Sequence, residues 1–276
     1  GAEVTLVERT SDGGRKILIS GGGRCNVLPA VSAPQRFVSE ARPTLVRALL
    51  HAWPLDAQRR YFEETLGVPL ALEAESAKYF PASNRARDVR DALVEYARRS
   101  GVALRFGAAV QDVVSGPAGW RLVIDGAAIE GDRVVVATGG LSVPSTGSTG
   151  FGFDLARRTG HVVHELYPAL TPLVAAPAVD ADLAGVSLDV AIRARSARRS
   201  AESRGGFLFT HRGYSGPAVL DVSHVAVRSL VEGDAAIVTV CWEAGEQTWA
   251  TRLGAGVHAT AANVIARALP RRLADR

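Results

Sequence analysis

The sequence predicts an α/β protein whose strands feed ligand-binding loops, and three stretches carry that prediction. The first is Val134-Val135-Val136-Ala137, a continuous apolar run of the kind buried on both faces of a parallel sheet, which ends in Thr138-Gly139-Gly140. Open α/β sheets bind ligands beyond the carboxyl ends of their strands, so glycine at that place points to a site. The second is Glu3 to Arg9, a β-branched stretch that ends on the carboxylate of Glu8 just before the turn residues Ser11 to Gly14. The third is Gly14 to Asn26 (GRKILISGGGRCN), in which Ile17-Leu18-Ile19 reads as a buried strand running into Ser20, Gly21, Gly22 and Gly23, then Arg24, Cys25 and Asn26. Consecutive glycines lose much backbone freedom on folding, so they suit a turn that needs positive φ or a backbone that approaches a ligand closely. Side-chain-free N–H groups beside Lys16 and Arg24 suit an anion or a flat, acceptor-rich molecule. A flexible surface turn is the alternative.

The remaining elements follow in order. Pro43 to Trp53 and Leu55 to Leu66 read as helices separated by Pro54, the second stopped by Gly67. Val68 to Glu75 and Ala77 to Phe80 form a predicted hairpin, and Asn84 to Ser100 an amphipathic helix ended by Gly101. Its arginines 85, 87, 90, 98 and 99 alternate with Asp88, Asp91 and Glu95, as on a solvated face. Val102 to Val114, Gly119 to Asp125 and Arg133 to Ala137 are predicted strands, with turns at Gly116-Pro117-Ala118-Gly119 and Asp125-Gly126. A second Gly/Ser/Thr-rich stretch, Leu141 to Gly152, precedes a helix at Asp154 to Thr159. Beyond it, Val186 to Ala194, Gly206 to Thr210, Val219 to Val222 and Ala235 to Trp242 read as short strands of a small antiparallel barrel. Arg193, Arg195, Arg198 and Arg199 sit at a predicted solvated hairpin tip, and Thr260 to Leu269 is helical.

Composition limits the function classes. A chain of 276 residues with 47% hydrophobic content supplies core for one large or two moderate domains. It holds no run of apolar residues long enough to span a membrane. Its two cysteines, Cys25 and Cys241, are far apart and form no metal-ligand pattern, so a reducing cytoplasm is expected and no metal site. The net charge of +4 is dispersed among acidic neighbours, which disfavours a nucleic-acid partner. With no methionine, even at position 1, the sequence reads as a piece of a longer chain.

Five stretches together resemble a known family. They are Gly14 to Asn26, Ala137 to Gly140 (ATGG), Ser142 to Gly152 (SVPSTGSTGFG), Pro168 to Leu173 (PALTPL) and Leu208 to Pro217 (LFTHRGYSGP). In that order they are similar to the HI0933-like flavoproteins, also called BaiN/YhiN or aminoacetone-oxidase-like FAD-dependent oxidoreductases. The resemblance implies a two-dinucleotide-binding-domain flavoprotein: a Rossmann-like FAD domain over 1–164, and over 165–276 an inserted β-barrel with helices. By the same likeness Glu8 holds the adenosine ribose of FAD, and Lys16 with Ser20, Gly21, Gly22, Gly23, Arg24, Cys25 and Asn26 lies along the cofactor. Val110 meets the adenine through its backbone, while Ala137, Thr138, Gly139, Gly140, Gly150 and Gly152 close over it from the other side. His211 and Tyr214 are substrate-side candidates, and the likeness assigns no catalytic acid or base.

Departures from the family pattern are visible too. The G-x-G-x-x-G loop that would bind pyrophosphate is not in the sequence, nor is a returning carboxyl-terminal segment, so the fold is expected to be incomplete at both ends. Leu28 and Pro29 replace a usual Thr-Asn pair, and Phe151 a frequent acidic residue. The expected activity is FAD-dependent oxidation or reduction of a small organic substrate, with NAD(P)H or oxygen as redox partner. An RNA- or nucleotide-binding flavoprotein and a non-catalytic fragment of the flavoenzyme stay open as alternatives. Cys25 beside Arg24 is a further redox candidate, against a packing role near the ring.

Overall fold

Two stretches of chain, Gly1–Val163 and His164–Arg276, each fold around a core of their own in the computed structural model, which describes residues 1–39, 41–116, 119–242, 249–255 and 260–276. The first begins with β1 (Thr5–Glu8), α1 (Arg15–Ile19), β2 (Leu28–Pro29), α2 (Pro43–Ala52) and α3 (Leu55–Arg60). It continues through β3 (Leu70–Glu73), β4 (Lys78–Pro81), α4 (Ala86–Arg99), β5 (Ala103–Phe106), β6 (Val110–Gly116), β7 (Gly119–Ile124), β8 (Ala127–Gly131) and α5 (Phe151–Arg158). β1 pairs in parallel with β5, Thr5 opposite Ala103 through Glu8 opposite Phe106, and the intervening crossover includes α4. This is the parallel pairing expected of an α/β unit. β2, β4 and β3 form one antiparallel sheet, and β6, β7 and β8 another.

Several expectations hold here and four change. The helices at Pro43–Ala52 and Ala86–Arg99 and the β3–β4 hairpin lie where they are predicted, while Pro117 and Ala118 of one predicted turn fall outside the described residues. Ile17-Leu18-Ile19 is not a strand but the end of α1, which runs into a tight 3-10 turn at Ser20–Gly23. A three-residue apolar run does not distinguish strand from buried helix. Val134–Ala137 joins no sheet, and Val135 is 88% exposed. A strand persists only where a neighbour takes its N–H and C=O groups, and no described strand lies alongside. Val102 to Val114 is two strands rather than one, broken at Gly107.

Arg90 corrects the solvated-face reading of α4. Ala86, Val89 and Arg90 share the buried side of that helix, so the Arg90 stem packs inward while its head reaches Asp12. The core beneath comprises Cys25, Leu66, Val68, Ala86 and Val89, with Ile17, Phe62 and Leu93 at its margin.

The second unit contains β9 (Leu173–Val174), β10 (Ser187–Arg195), β11 (Ser200–Thr210), β12 (Gly213–Ser215), α6 (Pro217–Val231), β13 (Ile237–Cys241), α7 (Trp249–Ala255), α8 (Ala261–Ala268) and α9 (Arg271–Ala274). Its strands pair antiparallel in the order β13-β10-β11-β12-β9. Among the described residues β13 and β9 are the two edges, so the sheet is open in place of the expected barrel. Val219–Val222 is the second correction in this unit, since it lies inside α6. Ala218, Val219, Val222 and Val225 recur at helical spacing and Pro217 opens the helix with its φ already set, so the pattern favours α over β. That face packs on Val190, Ile192, Ala194, Phe207 and Phe209 of β10 and β11. Each fully buried valine or phenylalanine contributes about 1.5–3 kcal/mol, an upper bound.

The β10–β11 tip is where the arginine run lies, as predicted, but its two last members are not merely solvated. Arg199 donates to both Glu232 oxygens, at 2.6 and 2.8 Å, and Arg228 Nε donates to Oε1 at 3.0 Å. Glu232 caps the carboxyl end of α6, where a lone carboxylate opposes the helix dipole. The bond from Arg199, then those from Arg228, hold its carboxyl down at about 2 against an ordinary 4.5. Because the folded value is depressed, its contribution to stability is complete above pH 4.5 and is lost as pH falls toward 2. Glu232→Gln is expected to flatten the acid limb of a stability-against-pH curve across that window; an unchanged limb would contradict the assignment.

Candidate functional site

The Ser20–Gly23 turn, the end of β1 and the stretch from Thr138 to Gly152 are brought together in the first unit. Gly21, Gly22 and Gly23 all have positive φ, 54°, 68° and 85°, which is what the triple glycine is for. A β-carbon on Gly21 would stand 2.7 Å from the Asn26 nitrogen, whereas one on Gly22 would meet nothing within 4 Å. Gly21 therefore closes the turn on itself, and Gly22 presents bare backbone outward.

Lys16 joins this turn to the second glycine-rich stretch. Its ammonium donates to the Ser142 carbonyl at 2.5 Å and to Ser142 Oγ at 3.0 Å across 126 positions of sequence. The second stretch folds tightly on itself. β-Carbons at Gly139, Gly150 and Gly152 would lie 2.9, 2.6 and 2.7 Å from Ser148 Oγ, Leu141 Cδ2 and Thr138 Oγ1. Glycine at these places allows Thr138-Gly139-Gly140 to lie directly against the start of α5.

At the end of β1, Glu8 Oε1 accepts from the N–H and the hydroxyl of Thr10, each at 2.7 Å. Arg9 turns the other way and donates to Thr149 Oγ1 at 3.0 Å. Val110 opens β6 opposite Ile124. Beside the Ser20–Gly23 turn lies a cavity of about 410 Å³ lined by Lys16, Ile17, Ser20, Cys25, Asn26 and Val27 together with Phe62, Val89 and Leu93.

Arg24 is engaged by its neighbours and Cys25 is buried. The Arg24 guanidinium pairs with Glu73 at 2.7 Å and lies 4.1 Å over the Phe80 ring. That contact, followed by Ser76, holds the Glu73 carboxyl below its ordinary range. Cys25 is buried, and burial raises its thiol above the usual value, outweighing a hydrogen bond with Ser20. A protonated thiol is a poor nucleophile, so the geometry fits the packing role. Asn26 is exposed at the end of the turn.

In the second unit, His211 is exposed on the β11–β12 turn. Tyr214 packs on Phe207 and Phe209, and its hydroxyl donates to Asp180 Oδ2 at 2.6 Å. Burial first, then Asp180, pushes its phenol up to about 12, so it stays neutral and acts as a pin between β12 and the 180 loop.

Four residues were not singled out by sequence reasoning: Thr10, Ser142, Thr149 and, as a buried group, Arg90. Ser142 and Thr149 lie within the quoted SVPSTGSTGFG stretch, whereas nothing in the spacing marks Thr10. Arg90 Nη1 donates to the Asp12 carbonyl at 3.2 Å, and its Nε lies 2.5 Å from Asp91. Asp12 is held below its ordinary range chiefly by Arg15 and also by Arg90. Among the described residues no group of His, Cys, Asp and Glu could hold a metal ion, and no helix is long and apolar enough to cross a membrane.

Comparison with known proteins identifies relatives along most of the chain. The chain is 30% identical over 226 residues to a ribosomal RNA dihydrouridine synthase of Escherichia coli K12, covering 81% of this chain and 55% of that protein. It is 31% identical over 233 residues to a 3-dehydro-bile acid delta(4,6)-reductase of Clostridium scindens, covering 84% and 56%. A ribosomal RNA dihydrouridine synthase of Haemophilus influenzae is 30% identical over 241 residues, covering 81% and 56%. The chain thus spans about half the length of the curated relatives it matches. The HI0933-like protein Rossmann domain matches residues 1–265, and the chain belongs to that family.

Proposed function

We propose that this chain is part of a cytoplasmic FAD-dependent reductase that saturates a carbon–carbon double bond conjugated to a carbonyl, with NAD(P)H as the source of electrons. The observation that carries the reading is the Lys16–Ser142 tie, which makes one site of two glycine-rich segments. The names of the relatives support the reaction class. A bile acid delta(4,6)-reductase and a dihydrouridine synthase both saturate a double bond in conjugation with a carbonyl, one in a steroid and one in a uracil ring.

The donor set fits FAD. Glu8 offers a carboxylate at the end of β1, as an adenosine ribose requires, and its Oε2 has no partner among the described residues. Gly22 offers open backbone, and the Gly150-Phe151-Gly152 start of α5 offers N–H groups not taken by a side-chain cap. In this reading Glu8 and the Val110 backbone hold the adenosine end. Lys16, Ser20 and Gly21 to Asn26 bound the site on one side, and Ala137 to Gly140 with Gly150 and Gly152 bound it on the other. A bound flavin would supply the hydride equivalent for reducing the double bond, the matching proton coming from solvent. The chain's own work is to orient: Lys16 fixes the spacing of the two segments, and Cys25, Val27 and Phe62 keep an apolar wall where water would compete.

The reading is tested by reconstituting the chain with FAD, reducing it anaerobically with NADPH, and adding a cyclic enone. Reoxidation of the flavin band with appearance of the saturated ketone is the expected result; failure to retain FAD, or reoxidation by oxygen alone, would refute it. A second substrate arm uses uridine-containing RNA, favoured by the two dihydrouridine synthase relatives.

A further inference from the structure

We infer that Thr10 is the positioning residue for Glu8, fixing its carboxylate so that one oxygen stays available to the paired hydroxyls of a nucleoside, and that the chain thereby selects an adenosine-bearing flavin over one without adenosine. This inference rests on the FAD reading and deepens it. Both Thr10 donors, the backbone N–H and the hydroxyl, converge on Oε1 at 2.7 Å. One oxygen is therefore saturated with two hydrogen bonds, while Oε2 has none among the described residues. A carboxylate held this way is anchored about its side-chain torsions and presents the free oxygen in a fixed direction.

Thr10 can hold Glu8 because Thr10 is itself held. It is 8% exposed, and its carbonyl accepts the Gly107 N–H at 2.8 Å just past β5. Its methyl abuts Gly147, where a β-carbon would stand 3.1 Å from Cγ2. The Glu8 carbonyl in turn accepts the Ala108 N–H at 3.0 Å. Arg9, the nearest cation in sequence, is engaged with Thr149 and does not neutralise Glu8. The residue two places past the strand end thus fixes the acid, the parallel pair and the 147 loop in one piece.

The test is fluorescence titration of this chain with FAD and with FMN as separate probes. The unmutated chain is expected to bind FAD more tightly than FMN. Glu8→Gln should remove that preference. Thr10→Val, which keeps the backbone donor and loses the hydroxyl, should weaken FAD binding roughly ten-fold with FMN binding unchanged, and Thr10→Ser should retain the unmutated ratio. If Thr10→Val lowers the melting temperature, Thr10→Ala removes the hydroxyl without the branch and reads the same ratio. Loss of preference in Glu8→Gln with full preference in the Thr10 variants overturns the role of Thr10 and leaves the flavin reading standing. No preference for FAD over FMN in the unmutated chain overturns both.

Discussion

Gly216→Ala is expected to destabilise the His164–Arg276 unit by about 2–6 kcal/mol, a large share of an ordinary unit's stability. Gly216 holds φ 99° and ψ 159° at the entry to α6, a conformation open to glycine and costly for any L side chain. A β-carbon there would stand 2.5 Å from the Gly206 carbonyl oxygen and 3.0 Å from Phe207 Cα, both backbone atoms of β11. β11 cannot give way cheaply, because Phe207 is 2% exposed and packs edge-on against Phe209 and Trp242 at 5.0 and 5.5 Å between ring centres. Urea unfolding followed by tryptophan fluorescence should show the midpoint fall with an unchanged slope. A variant as stable as the unmutated chain would mean that the contact between α6 and β11 is looser than the geometry requires.

Lys16→Met carries the second large effect, on the site and not on the cores. The substitution keeps the aliphatic stem and removes the ammonium that donates to the Ser142 carbonyl and hydroxyl. Hydrogen bonds from a charged donor contribute about 1.5–3 kcal/mol each, and partial exposure reduces that here. FAD affinity is expected to fall by roughly 10- to 100-fold, while the thermal midpoint moves little. Ser142→Ala, which deletes the hydroxyl and keeps the carbonyl, should produce a smaller loss. Lys16→Arg is not a rescue, because a planar fork does not place its donors where the ammonium does. Equal affinity in Lys16→Met and the unmutated chain would show that the two glycine-rich segments keep their spacing without the tie.

Local signals in this sequence were legible where capping, turn chemistry and periodicity agreed. The helices at Pro43 and Ala86, the β3–β4 hairpin, and the glycine positions of the site all follow from short-range rules, since each depends on residues close in sequence. Other elements depend on residues outside the run itself. Ile17-Leu18-Ile19 is an apolar run too short to fix its own period, and Val219–Val222 shows its helical period only together with Pro217, Ala218 and Val225. Val134–Ala137 has the composition of a buried strand, yet composition does not supply the neighbour that a ladder needs. The Glu8–Thr10 and Lys16–Ser142 contacts differ in the same way. The first spans two positions but involves a residue with no marked pattern, and the second joins residues 126 apart, which no spacing rule reaches.

The exposed valines at 135 and 136 have a practical side. Val135 at 88% exposure and Val136 at 47% sit on a segment whose peptide groups join no ladder, and β1 uses only one of its two edges among the described residues. Unclaimed edges of this kind are templates for cross-chain β-pairing, so the 276-residue chain purified by itself is expected to form larger species as its concentration rises. A lysine at position 135 is the natural remedy, since charge at an edge discourages such stacking.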